Sequence, residues 1–302
     1  MKPYRDFADF LACHFEGKMQ KLSVNAGFSC PNRDGTIGRG GCTYCNNRSF
    51  SPSYCNPSDP VGEQLRKGIA FFSRKYPHMR YLAYFQAYTS TYGASAEALA
   101  ALYRSAFDTP GIEGVVIGTR PDCVSPALLD AIAALPWAMV EYGAESSHDA
   151  TLRAVNRGHT WAATEKAVRM TAERGIPVGL HLIMGLPGET EEMMMETLCR
   201  VNALPVDVVK MHQMQIHEGT AMAEAYLRGE NRARLWTPEE YARFCAKAVR
   251  TLRPDIAIDR FVSQAPPEML TAPRWGIKNY QFAELVAREL SQTSPEETEK
   301  QQ

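Results

Sequence analysis

Along this chain, short apolar stretches bounded by turn residues alternate with stretches whose apolar positions recur at helical spacing. The first kind reads as strands: KLSVNAGFS (21–29), RYLAYFQAY (80–88), GVVIGTR (114–120), WAMVEYGA (137–144), IPVGLHLIMG (176–185) and VDVVKMHQMQI (206–216). The second kind predicts helices over 61–76, 95–107, 125–135, 161–175 and 191–204, with one more over 239–252. Ser125 followed by Pro126 marks one helix start, Ser95 ahead of Glu97 another, and Thr237 with Glu240 has the pattern of a capping box. Successive β–α units imply a parallel sheet, because parallel strands need helical crossovers. The sheet is either open and doubly wound or a full or partial barrel, and a barrel is the reading adopted. In either case ligands bind at the carboxyl ends of the strands. Those ends carry Cys30; Gln86, Tyr88 and Thr89; Thr119 and Arg120; Glu145 and Ser146; Gly185 to Gly188; and His212 to His217. The expected organisation is an N-terminal helical segment (1–20), a core (21–220), a helical and strand extension (221–291) and a disordered polar tail (292–302).

Composition adds boundaries. The chain has 302 residues, 45% of them hydrophobic, enough for a large folded core. With 33 basic and 34 acidic residues the net charge is -1, so a polyanionic partner would need a local basic patch. The opening MKPYRDFADFLACHFEG lacks the apolar region of a secretory signal, and no apolar run is long enough to cross a bilayer. No membrane association and a cytoplasmic location are therefore expected. In that compartment eight cysteines suggest metal or redox chemistry rather than disulfides.

Three of those cysteines lie in CPNRDGTIGRGGCTYCNNRSF, with eleven residues between Cys30 and Cys42 and two between Cys42 and Cys45. Three thiolates are one short of a closed tetrahedral metal site. On a four-iron cluster they would leave one iron with open coordination positions. The Gly-rich insert lets backbone N–H groups approach cluster sulfurs, and Arg33, Arg39 and Arg48 add positive charge near an anionic group.

Cys42-Thr43-Tyr44-Cys45 resembles the second half of the radical S-adenosylmethionine (SAM) signature, with an aromatic residue before the last cysteine. Cys30 resembles its first cysteine, although the usual three-residue spacing is replaced by eleven. That spacing is similar to the branch containing the Elongator catalytic subunit and, more closely, to the YhcC/YtqA-like family. The resemblance extends over roughly residues 20 to 280, through YFQAYTSTYG, IGTRPDCV, EYGAESSHDATLRAVNRGHT, HLIMGLPGET and VVKMHQMQIHEGTAM. It implies a partial (β/α)6 TIM-like barrel of radical SAM type with short N- and C-terminal additions. Cys30, Cys42 and Cys45 would hold a [4Fe–4S] cluster. Carried over onto this chain, Gln86 and Thr89 fall at the methionine end of SAM. Ser146 and Arg157 fall at its ribose and carboxylate, and Gly185, Met211 and His212 near its adenine. Glu145 stands where relatives often have Gln, so its neighbour Ser146 is the contact expected there.

The implied chemistry is reductive SAM cleavage and hydrogen abstraction, fed by a one-electron donor such as flavodoxin or ferredoxin. An apolar barrel interior would suit it by excluding water. The family also implies a tRNA substrate, the modified wobble uridine, with a (carboxymethyl)aminomethyl side chain as one option. Candidate phosphate contacts are Arg228, Arg232, Arg234, Arg260, Arg274, Trp275 and Lys278. Two alternatives stand beside this reading. One is a radical SAM enzyme acting on a small metabolite. The other is a non-catalytic RNA- or protein-binding module stabilised by zinc, with Cys55 or His14 as fourth ligand. Cys13, Cys123, Cys199 and Cys245 read as small packing residues, and His181 and His217 as satisfied structural histidines.

Overall fold

The computed structural model describes residues 2–76, 78–263 and 265–292. The expected tail therefore lies, apart from Gln292, outside the described residues. All six expected strand segments form strands: β1 (Met19–Val24), β2 (Arg80–Phe85), β3 (Ile112–Thr119), β4 (Ala138–Glu145), β5 (Val178–Met184) and β6 (Val208–Gln213). A two-residue β7 (Ile216–His217) pairs antiparallel with β9 (Leu270–Ala272), apart from the main sheet. A further parallel strand, β8 (Ala257–Arg260), joins the sheet next to β6, giving the order β1-β2-β3-β4-β5-β6-β8. The sheet is thus seven-stranded, and its last strand comes from the segment expected as an extension.

The helical crossovers are α2 (Val61–Ser73), α3 (Ala96–Ser105), α4 (Pro126–Ala133), α6 (Trp161–Ala172), α7 (Glu191–Asn202) and α9 (Pro238–Thr251). Ser95 and Ser125 cap their helices as expected, and Thr237 with Glu240 closes the capping box. α1 (Phe7–Ala12) lies in the segment expected to be an N-terminal helical one, and three helices were not anticipated individually: α5 (Asp149–Ala154), α8 (Ala221–Leu227) and α10 (Asn279–Ser291).

Strand alternation sorts the core into two shells. Val115, Ile117, Val140, Tyr142, Leu180 and Leu182 face the helices and pack with Leu65, Leu99, Leu129, Val168, Leu198 and Phe244. Leu82, Tyr84, Val116, Met139, Val208 and Ala257 face the other way and, with Phe10 and Leu11 of α1, plug the end where the strands begin. The sheet is curled: Lys21 Nζ on edge strand β1 lies 2.9 Å from Asp259 Oδ2 on the opposite edge strand, β8. The first segment also bridges to β8, through Asp6 and Ile258. A half-barrel closed below and open above results.

Two β-bulges then tune what faces inward, since an extra residue re-aims the side chains around it. In β4 Gly143 pairs with His181 and Glu145 with Leu182, so Ala144 is the extra residue and Glu145 takes a left-handed φ of 67°. In β8 Ile258 pairs with Val209 and Arg260 with Lys210, which leaves Asp259 extra. Asp259 reaches the buried lysines of the interior while Arg260 lines the cavity above them.

Candidate active site

The open end of the half-barrel holds a cavity of about 220 Å³. Cys30, Cys42 and Cys45 all line it, although Cys30 stands in the loop after β1, past residues 25–29, and the other two stand beyond the Gly-rich insert. Tertiary hydrogen bonds hold that loop in place. Thr43 N donates to Val155 O at 3.0 Å, Met222 N donates to Thr43 O at 2.9 Å, and Asn156 Nδ2 donates to Gly41 O at 2.8 Å. Asn32 Nδ2 lies 3.6 Å and Arg157 Nη1 3.7 Å from Cys42 Sγ, while Arg33 Nη2 donates to Cys45 O at 2.9 Å. Burial, with Cys42 beside it, pushes the Cys45 thiol up to about 11 against the pull of Arg33. All eight cysteines are free thiols.

The zinc alternative loses both proposed fourth ligands. His14 packs on Phe10 and Trp137, at the closed end where β4 begins. Cys55 Sγ donates to Ser23 O at 2.9 Å and does not line the cavity. Among the described residues no group of three His, Cys, Asp or Glu could hold a metal ion. A four-iron cluster is wider than an ion, so its ligands stand farther apart. Of the expected packing cysteines Cys245 is buried, whereas Cys13 and Cys199 are exposed.

Four of the seven residues expected to contact SAM line the same cavity: Gln86, Thr89, Arg157 and His212. Three do not. Ser146 is buried, with its Oγ donating to Glu189 Oε1 and accepting from His148 N at 3.0 Å. Met211 faces the helix layer, because strand alternation turns Lys210 and His212 inward and Met211 outward. Gly185, at φ 104°, admits a neighbouring chain segment: a Cβ there would lie 2.5 Å from Arg234 O. Glu145 rather than Ser146 borders the cavity, 3.4 Å from Arg157 Nη2, and burial raises its carboxyl against the pull of Arg157. Gly143 makes room for this pair, since a Cβ would meet Arg157 Nη2 at 2.5 Å. Arg157 Nη2 donates to Gly143 O at 2.6 Å.

The interior is not apolar. Glu141, 1% exposed, accepts from Lys21 Nζ at 2.5 Å, Tyr84 OH at 2.7 Å, His181 Nε2 at 2.7 Å and Lys210 Nζ at 2.9 Å. Asp259 takes the same lysines at 2.9 and 3.2 Å. A buried carboxylate survives only with such partners. The lysines outweigh burial and hold both carboxyls far below the usual range. Burial, then Lys210, pushes His181 down to about 4, and burial, then Arg260, pushes His212 well down. Both rings are therefore neutral near pH 7. A carboxylate can only accept, so His181 carries its proton on Nε2.

Sequence reasoning missed this network because a lone charged residue inside a strand gives no sign of its partner on another strand. The inward phase of Lys21, Glu141, His181 and Lys210 was the available signal. His217 also lines the cavity, with its Nδ1 buried and without a hydrogen-bond partner among the described residues.

A model of the radical SAM superfamily matches residues 32–200, and one of the radical SAM C-terminal domain matches residues 206–292. This chain belongs to the radical SAM superfamily. The family uses a [4Fe–4S] cluster and SAM. Protein YhcC of Escherichia coli (strain K12) is 39% identical over 276 residues, covering 89% of this chain and 86% of that protein. A tRNA uridine(34) acetyltransferase of Methanocaldococcus infernus is 28% identical over 174 residues, covering 56% of this chain but only 32% of that enzyme. Among solved structures, Elp3 from the same archaeon with an N-terminal deletion superposes with a TM-score of 0.68 at 18% identity, over 90% of this chain and 62% of that one. That likeness bears on the fold, a radical SAM half-barrel.

Chemically the cavity suits the family's cofactors. Three thiols of soft-ligand type line it, and six of its residues (Tyr44, Thr89, Arg157, Gln215, His217 and Arg260) have a buried side-chain polar atom with no hydrogen-bond partner among the described residues. Each such atom costs about 1–3 kcal/mol unless a ligand satisfies it.

Proposed function

We propose that Cys30, Cys42 and Cys45 hold a [4Fe–4S] cluster, that SAM binds in the same cavity, and that the enzyme abstracts hydrogen from the modified wobble uridine of a tRNA. The observation that carries the reading is one cavity lined both by the three thiols and by the unpartnered buried atoms Thr89 Oγ1 and Arg157 Nε. When bound, the cluster and SAM supply the hydrogen-abstracting radical. The residues of the chain hold and orient. Asn32 and Arg157 stand at the Cys42 sulfur, where N–H groups tune a cluster's potential. Gln86 and Thr89 serve the methionine end of SAM, Arg157 its carboxylate, and His212 its nucleoside end. The network around Glu141 gives the chamber a fixed polar floor, which orients a polar substrate and leaves little freedom for water.

The tRNA reading rests on similarity to the uridine(34) acetyltransferase, an enzyme of which this chain spans about a third. The basic residues give it little support. Arg228 pairs with Glu230, Arg234 lies 3.5 Å from Glu191 and stacks on Trp236, and Arg274 Nε donates to Leu270 O. The test is to reconstitute the protein without oxygen, add dithionite and SAM, and look for 5′-deoxyadenosine. Bulk tRNA is then added with a flavodoxin or ferredoxin as reductant, and its nucleosides are analysed. A changed wobble nucleoside is expected. Unchanged tRNA with active SAM cleavage would move the substrate to the small metabolites.

A further inference from the structure

Among the described residues, every cation lining the cavity or buried beneath it has a hydrogen-bond or ion-pair partner except one. Arg120 is paired with Asp122, Arg157 with Glu145, Arg33 with Cys45 O and the Tyr88 ring, and Lys21 and Lys210 with Glu141 and Asp259. Arg260 lines the cavity and makes no hydrogen bond or ion pair among the described residues, and its Nε is buried without a partner. Below the cavity two lysines balance two carboxylates, and the rings beside Arg260, His181 and His212, are neutral. The floor therefore carries a net charge of one, on a planar guanidinium.

We infer that Arg260 is a substrate-binding residue that takes a monoanionic carboxylate of the substrate. The inference rests on the proposed function and adds to it the chemical class of the bound molecule. One surplus positive charge matches one negative charge, whereas a phosphate dianion would leave a buried anion in excess. A guanidinium offers its N–H groups in a fork that fits the two oxygens of a carboxylate. The neutral His181 allows a polar group of the same substrate to approach without a second charge.

The test uses reconstituted, SAM-loaded full-length protein and calorimetric titration with N-acetylglycine, its neutral isostere N-acetylglycinamide, and inorganic phosphate. N-acetylglycine should bind about tenfold or more tighter than the amide, as a charge-assisted contact implies. That ratio should fall to near one in Arg260→Gln and be partly retained in Arg260→Lys, with thermal melts reporting that each variant is folded. Equal binding of acid and amide to the wild type overturns the inference, as does a preference for phosphate. Loss of SAM affinity in Arg260→Gln with the acid preference intact would also overturn it, because the residue would then serve the cofactor. The proposed function fails separately, if the wild-type protein holds no cluster and cleaves no SAM.

Discussion

The rim and the floor of this cavity are both polar, for opposite reasons. At the rim, Thr89 and Arg157 keep buried polar atoms without partners beside the three thiols. On the floor, Glu141 and Asp259 are saturated by Lys21, Lys210, Tyr84 and His181. Unsatisfied groups mark where a ligand is expected, since a protein folded without one would gain by pairing them. Saturated groups are a preset surface that need not reorganise when substrate arrives. Substitutions should therefore fail differently, the saturated network around Glu141 and Asp259 in stability, and the unpartnered groups, Arg260 above that network included, in binding.

The largest effect is expected on the floor. Glu141→Leu leaves two buried lysines with Asp259 alone and should cost about 3–5 kcal/mol of stability, read by urea denaturation. A cost under about 1 kcal/mol would mean that the network is solvated. At the rim, Gly143→Ala sets a Cβ against Arg157 Nη2. It should lower SAM affinity by a factor on the order of 100 through displacement of that guanidinium, checked by titration of the reconstituted protein.

A pH scan separates the regions again. His181 titrates at about 4 in the fold and near 6.5 in the unfolded chain, so below pH 6.5 the unfolded chain binds a proton that the folded one refuses. Stability should fall from pH 6.5 toward 4, and His181→Gln should flatten that slope by about one proton. An unchanged slope would assign the acid lability to the other histidines that burial pushes down, His212 and His159. The smallest pair of effects is the sharpest comparison. Thr89→Val should weaken SAM binding about fivefold without destabilising the free protein, because Oγ1 has no partner to lose. Ser146→Ala should cost about 1 kcal/mol of stability by removing one donor from the buried Glu189 and leave SAM affinity unchanged.

How much of this was legible follows from range. Strands β1 to β6 and their helices showed in local periodicity and caps, which neighbouring residues set. The cysteine motif and the strand-end residues Gln86, Thr89 and His212 stood out because βα folds present strand ends to ligands, whereas Arg157, beyond α5, was implied only by the family resemblance. Strand β8 did not show, since four residues (AIDR) carry too little pattern to identify a strand. The choice between Glu145 and Ser146 turned on a bulge, which one extra residue creates and sequence alternation does not reveal. Ser146, Met211 and Gly185 lie in the expected segments but do not line the cavity: Ser146 pairs with Glu189, Met211 faces the helices and Gly185 abuts Arg234. The floor stayed hidden because its partners come from β1, β2, β4, β5, β6 and β8, brought together only by the curl.

The most direct test is the metal content of anaerobically reconstituted protein, wild type against Cys30→Ala, Cys42→Ala, Cys45→Ala and Cys55→Ala. About four iron and four sulfide are expected per wild-type chain. Each of the first three substitutions should abolish this cluster and its SAM cleavage, and Cys55→Ala should retain both. Zinc in place of iron, or a cluster that survives loss of Cys30 but not of Cys55, would contradict the proposed cluster site.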